Sequence, residues 1–229
     1  MVFSGNIPFP GILPAVKSAH GTEGQKLVAL TFDDGPTPPY TEKILDILKA
    51  KHIKATFFVI GKNVDSNPEL FRRILQEGHE IGNHTYSHPR LLLNSIKKTK
   101  QEIINTENAI LKAGGVKPRW FRPPYGQKNV LILSTAHKLG YETINWSIPS
   151  YDWRRPGVSK IIRNVTKHLK NGAIILLHDG RENRSQTVAA LPLILEELER
   201  KQFQCVTLSD LFAKQASAFN RASALKYIP

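Results

Sequence analysis

Leu27-Val28-Ala29-Leu30-Thr31-Phe32-Asp33-Asp34-Gly35-Pro36 is the stretch that decides the fold. Its opening run is apolar, with β-branched and aromatic residues, and reads as a buried strand. Two carboxylates close it, and Gly35-Pro36 breaks it. Residues 40–52 follow, with Ile44, Leu45, Ile47 and Leu48 at helical spacing. The same rhythm then repeats. Strand-like runs at 55–61, 80–85, 120–126, 141–148 and 173–179 precede helical patterns near 67–78, 94–113, 128–139, 157–171 and 187–201. A last strand-like run covers 203–208. Seven strands separated by helices imply parallel strands joined by right-handed crossovers. Periodicity alone admits either an open doubly wound sheet or a barrel.

A chain of 229 residues with 41% hydrophobic content suits one α/β domain with a full core. The expected division is an N-terminal extension over 1–26, one domain over 27–212, and a tail over 213–229. Cys205 stands alone, so no intrachain disulfide can form. No run reaches the roughly 18 apolar residues of a membrane span, so no integral membrane segment is expected. The first residues, rich in Pro and Gly, lack the basic start and apolar run of an intact signal peptide. An extracellular or cell-envelope location is expected if an export signal has been removed, and a cytoplasmic one otherwise.

The excess of 32 Lys and Arg over 19 Asp and Glu gives a charge of +13. That favours anionic partners, wall polymers and membrane surfaces included. The densest cluster, Lys97-Lys98-Thr99-Lys100, opens an amphipathic segment and reads as a solvated helix face. No nucleic-acid motif accompanies the charge, so no nucleic-acid partner is expected.

The polar residues are placed with more purpose. Asp33, Asp34, His84, Arg122, Asp152 and His178 all fall at or just after the C-terminal end of an expected strand. In parallel α/β folds those ends share the face that carries the active site. Adjacent strand residues point to opposite faces, so Asp33 and Asp34 serve one site only where the strand turns; turn or capping aspartates are the plainer reading. His84 and His88, four apart, bring two imidazoles within reach of one metal. A carboxylate would complete an open, hydrolytic site; two surface histidines are the alternative. His178 beside carboxylates suits a general acid, or a hydrogen-bonded structural histidine. Arg122, stiffened by two prolines, can grip a carboxylate bidentately. Asp152-Trp153 offers a carboxylate beside a flat ring.

Five motifs occur in order: Thr31-Phe32-Asp33-Asp34-Gly35-Pro36, His84-Thr85-Tyr86-Ser87-His88, Arg122-Pro123-Pro124-Tyr125-Gly126, Asp152-Trp153 and Leu176-Leu177-His178-Asp179. Together they resemble the polysaccharide deacetylases of carbohydrate esterase family 4, the NodB homology domain. The resemblance implies a distorted (β/α) barrel of about seven parallel strands. It implies that Asp33 is the catalytic base and that Asp34, His84 and His88 hold a divalent metal, Zn2+ or another such as Co2+. Arg122 would tune Asp33, and the Tyr125 N–H would meet the oxyanion. His178, tuned by Asp152, would be the acid. Trp153, Leu176, Pro123 and Tyr125 would bind substrate. Many members carry another aspartate where this chain has Ile148-Pro149-Ser150, a change expected to alter a loop and leave the reaction intact.

The activity implied is removal of N-acetyl groups from an amino-sugar polysaccharide or oligosaccharide: peptidoglycan, chitooligosaccharide or exopolysaccharide. The alternatives are an O-acetyl esterase of the same fold acting on acetylated xylan, and a non-catalytic binding module. The oligomeric state stays open.

Overall fold

β1 (Lys26–Asp33) sits at the centre of the sheet because every one of its residues from Leu27 onward is buried. The computed structural model describes residues 25–225, with side chains to 217; most of the expected N-terminal extension, residues 1–24, lies outside the described residues. β1 pairs along Val28–Asp33 with β7 (Ala173–His178). On its other side β2 (Thr56–Val59) takes the C-terminal half and β8 (Phe203–Val206) the N-terminal half. β3 (Glu80–Asn83), β4 (Trp120–Phe121), β5 (Glu142–Thr143) and β6 (Ile148–Pro149) complete the order β5-β4-β3-β2-β1-β7-β6. All pairings are parallel.

The helices are α1 (Tyr40–Ala50), α2 (Gly61–Ser66), α3 (Pro68–Gln76), α4 (Ile96–Gly114), α5 (Val130–Lys138), α6 (Val158–Thr166), α7 (Ser185–Arg200) and α8 (Leu208–Leu225). Val28, Leu30 and Phe32 of β1 pack with Phe57, Ile175 and Leu177 beneath Ile44, Phe71, Ile161 and Leu191 of the helices. The opposite parity, Leu27 and Ala29, packs with Phe58, Trp120, Ile144 and Ile174 inside the curl of the sheet. Apolar residues on both parities are what a strand covered on both faces requires. Thr31 and Asp33 continue the inner parity, so the interior becomes polar at the C-terminal ends of the strands.

The architecture is the distorted (β/α) barrel, with one correction to the strand count and one to a strand's length. The expected strand over 141–148 is two short ones with no helix between. Its start bonds to β4 through Ile144 N–H and Phe121 O, and its end approaches β7 through Ser147 N–H and Ile174 O. One stretch thus supplies both edge strands, at opposite ends of the curled sheet. The expected strand over 120–126 stops at Phe121, since Pro123 and Pro124 offer no N–H to a ladder. The helix expected over 67–78 is α3, opened by Pro68, and an unexpected short helix, α2, precedes it and meets it at Asn67. α8 runs unbroken through 212–213, where the tail was expected to begin.

Candidate active site

The site forms where the inner face of the barrel turns polar. Asp33 ends β1 and His178 ends β7, and the two are register partners across the ladder. Asp34 is past the strand, with φ of 81°, a left-handed conformation that redirects its carboxylate. That turn lets two adjacent aspartates serve one cavity. Gly35 is required there: a Cβ would come within 1.9 Å of the Asp179 carboxylate.

Arg122, wholly buried, is the pivot. Its Nη1 donates to Asp33 Oδ1 at 2.7 Å and to Thr31 Oγ1 at 2.8 Å. Nη2 reaches the Asn145 carbonyl and Nε the Ile144 carbonyl. The grip on Asp33 is therefore through one nitrogen, not the bidentate fork expected. The Ile144 and Asn145 carbonyls claim the others. The guanidinium lies 4.0 Å from the Phe58 ring centre. Burial raises the Asp33 pKa, and Arg122 opposes that rise by charge and hydrogen bond.

His84 Nδ1 lies 2.7 Å from the Arg122 carbonyl oxygen. A carbonyl only accepts, so Nδ1 carries the proton and Nε2 presents its lone pair to the cavity. His88 follows on a tight loop with φ of 56°. Its N–H donates to Thr85 Oγ1, and the Thr85 N–H donates to Asn83 Oδ1. Glu102, from α4, accepts from the N–H groups of Tyr86 and Ser87 and from the Ser87 hydroxyl. This clamp was invisible in the sequence, where Glu102 reads as a solvated helix charge.

Asp34 Oδ1 lies 3.2 Å from His88 Nε2 and 3.6 Å from His84 Nε2. Ligand atoms of the three residues lie within 4.8 Å of one another. Asp34 Oδ1 is buried with no hydrogen-bond partner, an uncompensated lone pair that a cation would satisfy. Burial lifts Asp34 to about 6 and depresses His84 to about 3 and His88 to about 2, which keeps both imidazoles neutral. One carboxylate and two neutral imidazoles fit a divalent metal. Two arginines attend the trio. Arg184, 3% exposed, places Nη2 3.9 Å from Asp34 Oδ2. Arg181 Nη1 stands 2.7 Å from His88 Nδ1. A guanidinium only donates, so binding a cation through His88 Nε2 requires that contact to open.

His178 Nδ1 lies 2.7 Å from Asp152 Oδ1, and its N–H donates to Asp152 Oδ2 at 2.8 Å. Thr187 and Ser150 hydroxyls also donate to that carboxylate. Ser150 thus puts the altered Ile148-Pro149-Ser150 segment to use. Burial works against the imidazolium, but Asp152 overcomes it and raises His178 to about 9. Burial likewise opposes Asp152, yet His178 holds it below its ordinary value. Trp153 stands edge-on to His178, with ring centres 5.3 Å apart, and Tyr151 leans on Trp153.

Across the cavity the Tyr125 ring is 4.6 Å from that of His88. Tyr125 is half exposed and left-handed, with φ of 59°. Among the described residues nothing accepts from its N–H. Pro123 is buried beside Arg122, and Leu176 is buried on the inner parity of β7, two residues before His178. Every residue singled out in the sequence is therefore brought to one end of the barrel. Arg181, Arg184 and Glu102 join them unannounced, and Asp179, present in the fifth motif without a role, joins them too. Burial raises Asp179 to about 7, and Thr41 holds it at 2.7 Å.

A parallel barrel with a histidine–carboxylate metal trio at its C-terminal mouth, flanked by an aspartate and a histidine, defines a metal-site hydrolase of the (β/α) class. Residues 20–144 match the family model described as polysaccharide deacetylase. A peptidoglycan-N-acetylglucosamine deacetylase of Bacillus cereus is 46% identical over 190 residues, 82% of this chain and 88% of that one. A chitooligosaccharide deacetylase of Bradyrhizobium is 40% identical over 210 residues, 86% of this chain and 96% of that one. The solved structure of peptidoglycan deacetylase PdaC from Bacillus subtilis superposes with a TM-score of 0.83 at 35% identity, over 90% of this chain and 98% of that one. The chain belongs to the polysaccharide deacetylase family.

Proposed function

We propose that this protein hydrolyses the N-acetyl groups of N-acetylglucosamine in a glycan, releasing acetate and leaving a free amine. The observation that carries the reading is the placement of Asp33 and His178 as ladder partners beside the Asp34–His84–His88 trio. A base and an acid flank one cation site, which is the arrangement amide hydrolysis needs.

A divalent cation held by that trio, zinc or a substitute such as cobalt, would polarise the amide carbonyl and lower the pKa of water. Asp33 takes the proton of the attacking water. Its burial keeps it basic, and Arg122 keeps it ionised and aimed. The tetrahedral oxyanion accepts from the Tyr125 N–H. An amine leaves poorly unless protonated; His178, anchored through Nδ1 to Asp152, delivers its Nε2 proton to the nitrogen as the C–N bond breaks. Leu176 and Pro123 border the acetyl methyl, and Trp153 and Tyr125 offer ring faces to the sugars.

Among amino-sugar polymers, this reading favours peptidoglycan. The charge is +13. Arg181 stands against His88, Arg90 lies over Tyr125 and Arg154 over Tyr151. Such a rim suits a glycan that carries carboxylates.

Acetate release from N-acetylglucosamine oligomers, peptidoglycan and acetylated xylan tests the reading. Activity on the amino-sugar substrates, lost with chelator and reduced about a thousandfold in Asp33→Asn, is expected. Acetate from xylan alone would overturn the N-deacetylase reading in favour of the O-acetyl esterase. Inertness on all three would overturn the enzymatic reading.

A further inference from the structure

Nine large apolar side chains stand exposed among the described residues, and five of them fall on two neighbouring segments. Leu92, Leu93 and Ile96 lie on the turn into α4; Val130 and Leu131 open α5. Leu93, 81% exposed, is the most prominent of the nine. Between the segments lies a groove of about 220 Å³ whose walls include Leu91, Leu92, Ile96, Leu131 and Ile132. A hydrogen bond from Leu92 N–H to Gln127 Oε1 ties the two segments together.

Charge is sorted around this patch in one sense. Residues 88–101 and 122–141 contain no aspartate or glutamate, but present Arg90, Lys97, Lys98, Lys100, Lys128 and Lys138 exposed at the surface. The adjoining acids are already engaged: Glu102 clamps the His84–His88 loop, and Glu107 accepts from Tyr141 and pairs with Lys117. The result is an aliphatic protrusion on two segments whose exposed charges are all cationic.

We propose that this face docks on the surface of an anionic phospholipid bilayer. Aliphatic tips enter the headgroup and acyl boundary while the lysines meet lipid phosphate. Each part excludes another occupant. Nucleic acid or an acidic wall polymer has no use for Leu93 and Val130 in the open, and a second copy of this chain in two-fold contact would set lysines against lysines. The same two segments carry His88 and Tyr125, so docking sets the cleft mouth beside the membrane plane. The inference stands independently of which glycan the site cleaves.

The experiment is co-sedimentation of the full chain with vesicles of phosphatidylcholine alone and of phosphatidylcholine mixed with phosphatidylglycerol, at low and near-physiological salt. Partitioning should be at least tenfold stronger on the anionic vesicles. Leu93→Ser should weaken it about tenfold, the value of one leucine withdrawn from water. Lys97→Ala and Lys98→Ala should each weaken it about fivefold. Both kinds of variant should keep the wild-type melting temperature and acetate release from soluble oligomers, since these residues lie outside the cleft. Absence of binding to anionic vesicles at low salt overturns the proposal. So does binding that Leu93→Ser leaves unchanged, which would mark mere adsorption of a cation. Sedimentation with purified wall sacculi but not with vesicles overturns it equally, and loss of that sedimentation in Leu93→Ser would assign the face, as distinct from the cleft, to the polymer.

Discussion

Arg122 and Asp33 form a buried pair whose partners cannot be exchanged for chemical equivalents. Arg122 spends its nitrogens on Asp33, Thr31, Ile144 and Asn145. Lysine keeps the charge but has one nitrogen on a flexible stem. Arg122→Lys is expected to lower kcat by about a hundredfold with little change in KM, because aim is lost and the substrate contacts are not. Arg122→Ala leaves Asp33 buried without a counter-charge, at a cost of about 3–5 kcal/mol in unfolding free energy. Denaturant unfolding beside steady-state kinetics separates the two effects. The acid behaves differently. Asp152 raises His178 to about 9, so the imidazolium survives at neutral pH. A pKa raised on folding contributes stability that is fully present below the unfolded value of 6.5 and is lost as pH rises through about 9. Asp152 itself is lowered, so its share is present above 3.8 and is lost as pH falls through its depressed value. The pair therefore stabilises the fold most between those limits. In Asp152→Asn the alkaline limb of kcat/KM should move down by one or more pH units from about 9. An unmoved limb would show that another group is the acid.

At the level of elements, the metal-ligand loop is held by a helix that contributes no chemistry. The loop from His84 to His88 owes its shape to Glu102 on α4, which takes three hydrogen bonds from it. Glu102→Ala should weaken divalent-metal affinity by about tenfold, because the loop that aims His84 and His88 loses the three hydrogen bonds that shape it. Competition with a chromophoric chelator measures this without reference to activity. The sequence could not single Glu102 out, because helix charges are read as solvated unless their partners are known. Asp33, Asp34 and His178 were legible for the opposite reason: each is a polar residue ending an apolar run, where solvation cannot be assumed, and His84 was legible from its four-residue spacing to His88. Helices α1 and α3 to α7 were legible from apolar spacing alone, whereas α2 and the full length of α8 were not. The run over 141–148 was misread as one strand because Tyr141, Ile144 and Ile148 look continuous. Its division follows from two partners distant in sequence, Phe121 and Ile174, which no local pattern records.

For the whole molecule, residue patterning alone did not separate the two adjacent aspartates; only the family resemblance implied that Asp34 holds the metal and Asp33 is the base. Both are almost wholly buried, at 2% and 4% exposure. Geometry separates them: Asp33 is bonded to Arg122, whereas Asp34 keeps an unpartnered oxygen among the imidazoles. A cation bound only by the native state raises stability by RT ln(1 + [L]/Kd), about 2.7 kcal/mol at a hundredfold excess over Kd. For a chain of this size that is roughly 5–10 °C in Tm. Zinc added to chelator-stripped protein should give that shift in the wild type and, nearly in full, in Asp33→Asn. His84→Ala and Asp34→Asn should show little or none. The contrast matters because Asp33→Asn and His84→Ala are both expected to be inactive, so kinetics cannot tell base from ligand. A lost shift in Asp33→Asn would place Asp33 among the ligands and return the role of base to an open question; a retained one assigns the cation to Asp34, His84 and His88.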